Sequence, residues 1–276
     1  RVIDVVRTLH RRWSISGLEF HDNNFFHSER RVREIAEGIA DLGIGWWGEG
    51  RVDTILRYSA ETWRAMKRSG LRMVFMGAES ASDESLDAMR KGGTLRAADT
   101  LEAARVFRSY GIVPEFSFVL GAPPDADADI RKGMEFIRKI KEINEDSEII
   151  LYLYTPAPIG DVFHGAARDG FRFPRTIDEW CDPSWYDFFS WRNPRTPWMS
   201  AKASRRLRDF ETVLHGRYPS VADIGLGSVA RRALRAIARA RWRTSMYRYP
   251  YEIKGLLKAV RYREPRVEGF PQYFPK

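Results

Sequence analysis

The 276-residue chain contains one cysteine, Cys181. That excludes a disulfide framework within the chain and suits a reducing cytoplasm. No apolar run approaches the roughly 20 residues that span a bilayer. No secretory leader is expected either. Arg1-Val-Ile-Asp-Val-Val-Arg7 reads as the middle of an amphipathic helix, and with no initiating Met, residue 1 is expected to be a cut into a longer protein. A phosphate-binding Gly-rich loop is missing too, since Lys91-Gly-Gly-Thr94 lacks both the spacing and the preceding strand. Internal repeats and low-complexity tracts are absent. With 43% hydrophobic and 30% charged residues, the chain has the makings of a folded core, as one barrel or two modest domains.

Acidic residues are scarce in one region only. Residues 201–263 carry 16 Lys/Arg against 4 Asp/Glu, while the whole chain nets +9, so residues 1–200 net −3. The basic character belongs to the C-terminal part. There Arg231, Arg232, Arg235, Arg239, Arg241 and Arg243 alternate with Ala, Leu and Ile, followed by Met246, Tyr247, Tyr249 and Tyr251. A basic amphipathic helix with aromatics fits an anionic membrane surface, and the same composition fits nucleic acid. It also fits a packed tail with a solvated cationic face.

What the chain does have is alternation. After an opening helix over 2–13, five β-then-α units follow. Strands are expected at 17–22, 44–49, 71–77, 112–120 and 148–154, the last reading Ile-Ile-Leu-Tyr-Leu-Tyr over 149–154. Helices are expected from Ser28 to about Leu42, over Ala60–Ser69 behind a Ser59 cap, around Asp83–Arg90, over Thr94–Tyr110 before Gly111, and over Asp127–Asn144. Such alternation predicts a parallel sheet with right-handed crossovers. From Thr155 onward prolines break the pattern, and Trp180, Trp185, Trp191 and Trp198 mark an irregular cap. Helices return at Ala201–Leu214, Ser228–Met246 and Pro250–Tyr262. The expected division is a barrel over 1–160, a Trp/Pro-rich cap over 161–200 and a basic helical extension over 201–276.

Four of the apolar runs end in polar residues: Leu18-Glu-Phe-His-Asp-Asn-Asn24, Trp46-Trp-Gly-Glu-Gly-Arg51, Val74-Phe-Met-Gly-Ala-Glu-Ser80 and Phe116-Ser-Phe-Val-Leu-Gly-Ala-Pro123. In a β/α barrel such endings gather at the C-terminal mouth, where chemistry sits. Their order and wording resemble one family. Phe20-His-Asp-Asn-Asn-Phe-Phe26 is similar to the second-strand segment of cobalamin-dependent radical S-adenosylmethionine (SAM) enzymes. Met66-Lys-Arg-Ser-Gly70, Gly77-Ala-Glu-Ser80 and Leu86-x-x-Met-x-Lys91 resemble the run after that family's third strand. Phe118-Val-Leu-Gly-Ala-Pro123 resembles its fifth-strand Gly-x-Pro signature, and Pro156-Ala-Pro158 followed by Gly170 its segment after the sixth.

The resemblance covers residues 1–200 and implies strands 2 to 6 of a partial (β/α)6 barrel. It also implies roles. Asp22 and Asn23 fall where the family meets the methionine amino group, for which a carboxylate gives a charge-assisted hydrogen bond. Glu49 and the Glu79-Ser80 pair fall where polar residues meet the ribose or the methionine moiety. Lys91 falls where a cation meets the methionine carboxylate, Ser117 by the ribose and Val119 by the adenine. Each position also has a plainer role: a loop or helix cap for Asp22–Asn24 and for Glu79-Ser80, a solvated Lys91, a small barrel residue at Ser117, and an Arg51–Glu49 scaffold pair.

The implied activity is reductive cleavage of SAM to a 5′-deoxyadenosyl radical, then methylation or rearrangement at an unactivated carbon. The implied cofactors are SAM, a [4Fe–4S] cluster and cobalamin in an upstream domain. The family's Cys-x3-Cys-x2-Cys loop is missing, so the cluster ligands do not lie in this chain. A truncated enzyme and a degenerate, non-catalytic barrel that binds membrane or RNA through its tail are the two readings of that gap, and the chain alone is expected to be inactive.

Other sites carry less support. His21, Asp22 and His27 lack a His-x3-His pair for a metal. Cys181 has no nearby His to make it a nucleophile. Glu49 and Glu79 as an acid–base pair in an unrelated barrel would leave the motif order unexplained. The expected partner is a small, apolar or lipid-like substrate, and the expected location is cytoplasmic, at the membrane periphery.

Overall fold

The computed structural model describes residues 1–89, 94–156, 158, 165–185, 188, 196–218 and 227–259. The chain divides into two compact units, Arg1–Ser204 and Arg205–Lys276.

Unit 1 is an α/β structure around one five-stranded sheet: β1 (Gly17–Phe20), β2 (Gly45–Gly50), β3 (Leu71–Glu79), β4 (Val113–Leu120) and β5 (Glu148–Leu153). Every pairing is parallel, and the spatial order is the sequence order. A sheet wound in one direction by right-handed crossovers keeps its helices on one face, as in an arc of a β/α barrel. The helices are α1 (Val2–Trp13), α2 (Glu29–Ile39), the one-turn α3 (Val52–Ile55), α4 (Ala60–Arg68), α5 (Asp83–Ala88), α6 (Ala97–Tyr110), α7 (Ala126–Ile143) and the one-turn α8 (Ile177–Trp180). The partial barrel expected from the sequence is thus present.

The two faces of the sheet differ. Phe20, Trp46, Val74, Met76, Phe116, Phe118 and Leu120 are buried on the helix-covered face, where Phe118 meets Phe136 of α7 edge-on at 6.1 Å. Their neighbours along each strand, among them Trp47, Glu49, Phe75, Glu115, Val119 and Tyr152, are only half-buried. Period-2 alternation therefore turns a half-buried face of mixed character, which carries Glu49 and Glu115, toward the inside of the arc.

Local chemistry sets the boundaries. The Ser28 hydroxyl accepts from the Arg31 N–H, and that of Ser59 from the Thr62 N–H, so both caps read from the sequence hold. Glu29 ties these helices together: its Oε1 accepts from the Ser59 N–H (2.8 Å), the Ser59 hydroxyl (2.6 Å) and the Thr62 hydroxyl (2.7 Å). The helix expected from Thr94 begins instead at Ala97, because the Arg96 N–H is taken by the Asp99 carboxylate at 2.8 Å. β3 runs two residues further than expected, to Glu79.

A separate aromatic cluster follows β5. Phe171 and Phe188 stack with centroids 5.7 Å apart, Trp185 lies 5.0 Å from Phe188, and Phe173, Trp180 and Trp198 pack around them. These rings bury one another, which accounts for most of the aromatic density of the expected cap. Trp191 lies outside the described residues.

Unit 2 consists of α9 (Ala201–Arg217, whose first residues belong to unit 1), α10 (Ser228–Arg243) and α11 (Tyr251–Ala259). Trp242 sits among Phe210, Tyr218 and Tyr247 at centroid distances of 5.2–5.8 Å. Among the described residues, no helix is long and apolar enough to cross a membrane.

The entry to β3 depends on Gly70. Its φ is +95°, its carbonyl accepts from the Trp46 N–H, and an added Cβ would lie 2.1 Å from the Ile44 carbonyl oxygen. Gly70→Ala meets both a clash with rigid backbone and a disfavoured φ, so it should destabilise the chain by about 2 kcal/mol or more. A urea midpoint matching the parent protein would contradict this account.

Candidate functional site

The ends of β2, β3 and β4 enclose a cleft of about 210 Å³, lined by Asn23, Glu49, Gly50, Arg51, Val52, Asp53, Phe75, Gly77, Glu79, Leu95 and Ser117. It opens at the C-terminal ends of parallel strands, where barrel chemistry gathers.

The loop after β1 is placed by its apolar half. Phe25 and Phe26 are fully buried, Phe25 stacks on Phe20 at 4.2 Å, and both rings pack against Trp46. The Tyr58 hydroxyl donates to the Phe26 carbonyl at 2.7 Å, and burial drives its pKa above the ordinary tyrosine range. With the phenylalanines anchored behind the sheet, Asn23 is presented at the cleft. Beside it, Asn24 Oδ1 is buried with no hydrogen-bond partner among the described residues.

Glu79 owes its position to strained backbone. A register shift between Gly77 and Glu79 breaks the β3–β4 ladder. The Ser80 N–H then closes onto the Ala78 carbonyl at 2.8 Å, a γ-turn with Glu79 at its centre and φ +63°. This hand of γ-turn is rare, and a non-glycine residue there carries strain. The result re-aims the Glu79 side chain over Gly77, where an added Cβ would sit 2.2 Å from Glu79 Oε1. Gly77 leaves the space that the carboxylate fills.

Arg51 follows β2 and grips Asp53 with two hydrogen bonds, Nε to Oδ1 at 3.0 Å and Nη2 to Oδ2 at 2.8 Å. Asp53 also accepts from the Thr94 hydroxyl. The Arg51 and Thr94 bonds hold its carboxyl down from 3.8 to about 2. Arg51 therefore does have a scaffolding partner, but it is Asp53. Glu49 makes no hydrogen bond or ion pair among the described residues.

Of the residues singled out in the sequence, Asn23, Glu49, Glu79 and Ser117 line the cleft. Asp22 turns away and pairs with Arg31 at 3.1 Å. Ser80 is buried, and its hydroxyl accepts from the Ser82 N–H at 3.2 Å. Val119 shares the inner face with Ser117 but pairs with Tyr152 beyond the cleft. Lys91 lies outside the described residues. The sequence reading missed Asp53, whose Arg-x-Asp spacing behind a strand end was an available signal, and Phe75, which period 2 places on the inner face beside Gly77. His21 reaches Glu19 at 3.3 Å, and His27 faces the Asn24 carbonyl at 3.3 Å. Among the described residues no group of His, Cys, Asp or Glu is arranged to hold a metal ion, and Cys181 is exposed.

One step deeper on the same face, Glu115 of β4 lies in register with Phe75 on one side and Glu148 of β5 on the other. Desolvation, then the Glu148 charge, pushes the Glu115 carboxyl up to about 7. Burial and the Glu115 charge also raise the Tyr152 phenol.

A parallel arc with acids, a guanidinium and an amide at its C-terminal mouth is the architecture of a β/α-barrel enzyme. No family model matches the chain. It is 29% identical over 142 residues to an uncharacterized methyltransferase of Pyrococcus horikoshii, a match covering 51% of this chain and 30% of that protein. It is 32% identical over 161 residues to a hopanoid C-3 methylase of Methylococcus capsulatus, covering 57% and 29%. In fold it is similar to the radical SAM methyltransferase TsrM of Kitasatospora setae, solved with cobalamin and a [4Fe–4S] cluster. That likeness has a TM-score of 0.53 at 15% identity, over 94% of this chain and 54% of TsrM. The likeness to TsrM is one of fold, and the two methyltransferases share sequence with about half of this chain. The matched stretches span about a third of the curated relatives' lengths and about half of TsrM's.

The Glu115 environment has a measurable consequence. Folding raises its pKa from the ordinary 4.5 to about 7, so the folded state holds a proton that the unfolded chain releases. The associated stability is full below about pH 4.5 and is lost as pH rises through 7. Glu115→Gln should match the parent near pH 4.5 and exceed it at pH 8 by on the order of 1–2 kcal/mol, discounted for partial exposure. Denaturant melts at the two pH values check this, and an equal difference at both would contradict it.

Proposed function

We propose that this chain is the SAM-binding part of a radical SAM methyltransferase, and that the β2–β4 cleft takes the amino-acid end of the cofactor. The observation that carries the reading is the strained turn that lays the Glu79 carboxylate over Gly77, facing the same cleft as Glu49, Asn23 and Arg51. Strain of that kind persists where surrounding structure over-determines it, and it gathers at ligand sites. Two carboxylates with a guanidinium suit a zwitterion: the acids accept from an ammonium, and the guanidinium faces a carboxylate. At about 210 Å³ the cleft is smaller than the ~300–1,000 Å³ of a typical ligand pocket, which fits one end of a nucleoside cofactor.

For the whole protein, the proposed chemistry is reductive cleavage of SAM at a [4Fe–4S] cluster, with cobalamin as a further cofactor and methylation or rearrangement of an unactivated carbon as the outcome. The residues of this chain do not fit the cluster: one exposed cysteine cannot supply three soft thiolates. In this reading those ligands lie outside these 276 residues. The chain's own part is to bind and orient, with Asp53 holding the Arg51 guanidinium and Gly77 admitting the Glu79 carboxylate.

Calorimetric titration of the chain with SAM tests the assignment. Glu49→Gln and Glu79→Gln should each weaken SAM binding by about tenfold to a hundredfold, the worth of a charge-assisted hydrogen bond. Binding of 5′-methylthioadenosine, which lacks the amino-acid end, should be unchanged. Glu79→Gly should bind SAM as poorly as Glu79→Gln while unfolding at a higher temperature, because it releases the φ strain. Failure to bind SAM, or unaltered affinity in both Gln variants, would sink the proposal. With iron, sulfide and reductant, the 276 residues alone should form no 5′-deoxyadenosine. Measurable product would place the cluster ligands within this chain.

A further inference from the structure

Unit 2 carries a feature that the barrel's chemistry leaves unused. Along α10, Leu234, Ala238 and Trp242 form the buried stripe. Arg232, Arg235, Arg239 and Arg243 follow one another at intervals of three, four and four, so they form a second stripe about a quarter-turn away, and all four are exposed. None of them makes a hydrogen bond or ion pair among the described residues. Among the described residues of unit 2, the acids are engaged elsewhere. Asp209 is buried and accepts from Lys254 Nζ at 2.7 Å and the Tyr249 N–H at 2.9 Å. Glu252 is bound by Arg241 Nε and, at 2.8 Å, Arg241 Nη2. Glu211 is likewise engaged. The unpaired charge is too extended for a helix-end role, since the stripe runs over three turns rather than the last one.

Arg241 has a different task. It also donates to the Met246, Arg248 and Tyr249 carbonyls at 2.9–3.1 Å, and so shapes the turn that follows the helix. Ser245 and Tyr249 both adopt positive φ in that turn. Its outcome is an exposed apolar tip three residues beyond Arg243, with Met246 61%, Tyr249 47% and Tyr251 69% exposed. Val229, 71% exposed, adds an aliphatic group near the other end of the helix.

We propose that this face of unit 2, the Arg232–Arg243 stripe with the Met246–Tyr251 tip, docks on the surface of an anionic lipid bilayer. Guanidiniums with no partner among the described residues find phosphate oxygens in lipid headgroups, each contributing to binding within a Debye length of the surface. Met246 and Val229 offer apolar area to the acyl boundary, and the tyrosines offer rings with a polar end, the character of side chains at membrane interfaces. RNA is the weaker match. Met and Val present no ring for a base, and Tyr249 and Tyr251 stack on each other with centroids 5.7 Å apart. The inference stands apart from the reading of the barrel.

Flotation of the full 276-residue chain with vesicles gives the test. The chain should float with phosphatidylcholine vesicles containing about one-third phosphatidylglycerol and stay behind with phosphatidylcholine alone. Binding should fall steeply as salt rises from about 50 to 300 mM. The combined variant R232Q/R235Q/R239Q/R243Q should lose at least tenfold in partitioning with an unchanged far-ultraviolet spectrum, since these exposed side chains make no hydrogen bond or ion pair among the described residues. Met246→Ser should weaken binding by a smaller factor and leave its salt dependence unaltered. If the quadruple variant fails to fold, the salt series and the Met246→Ser variant still decide. Equal partitioning onto neutral vesicles, no response to either variant, or release of the chain from anionic vesicles by stoichiometric single-stranded RNA would overturn the proposal.

Discussion

The parallel sheet of unit 1 is wound in one direction only, and much else follows from that constraint. Consecutive right-handed crossovers leave all helices on one face, so one set of side chains along each strand is sealed under aliphatic and aromatic rings. The alternate set is mostly half-buried and tolerates water, charge or a ligand. Glu49, Gly77, Ser117 and Glu115 all belong to this second set. The chemistry of the cleft is therefore the other half of the packing problem that Trp46, Val74, Phe116 and Phe118 solve on the covered side.

The loops at the strand ends obey the same division. Phe25 and Phe26 reach back to Trp46, and that burial aims Asn23 forward. Arg51 leaves β2 toward the cleft and is fixed there by Asp53, which Thr94 joins from the approach to α6. Glu79 alone needs a departure from good backbone geometry, and its strain falls at the end of a strand whose earlier residues are firmly paired on both sides.

Much of this was legible in the sequence, for identifiable reasons. Strand runs such as Ile149–Tyr154 and the Ser59-capped helix carry strong local signals and appear within a residue or two of expectation, while the Ser28-capped helix starts as expected and ends at Ile39, three residues short of Leu42. The polar strand ends gather at one mouth, as order and motif implied. What periodicity does not encode is long-range geometry. Glu79 reads as the residue after a strand, because a left-handed γ-turn has no sequence signature at a glutamate. Asp22 and Ser80 look like ligands in the sequence; in the fold Asp22 pairs with Arg31 and the Ser80 hydroxyl accepts from the Ser82 N–H, both local neighbours. Asp53 escaped notice because its partner Thr94 is 41 residues away. The arginine run over 231–243 was visible as composition, yet the separation of a structural Arg241 from four arginines without a partner among the described residues depends on where Asp209 and Glu252 point.

The Glu115–Glu148 juxtaposition bears on how the open face of the sheet exchanges protons with its surroundings. A carboxyl poised near neutrality is a charge reservoir. Any cation settling on that face favours the ionised form and expels a proton, and any anion draws one in. Occupancy and protonation are thereby linked variables, so the apparent heat of a binding event there includes the ionisation enthalpy of the buffer.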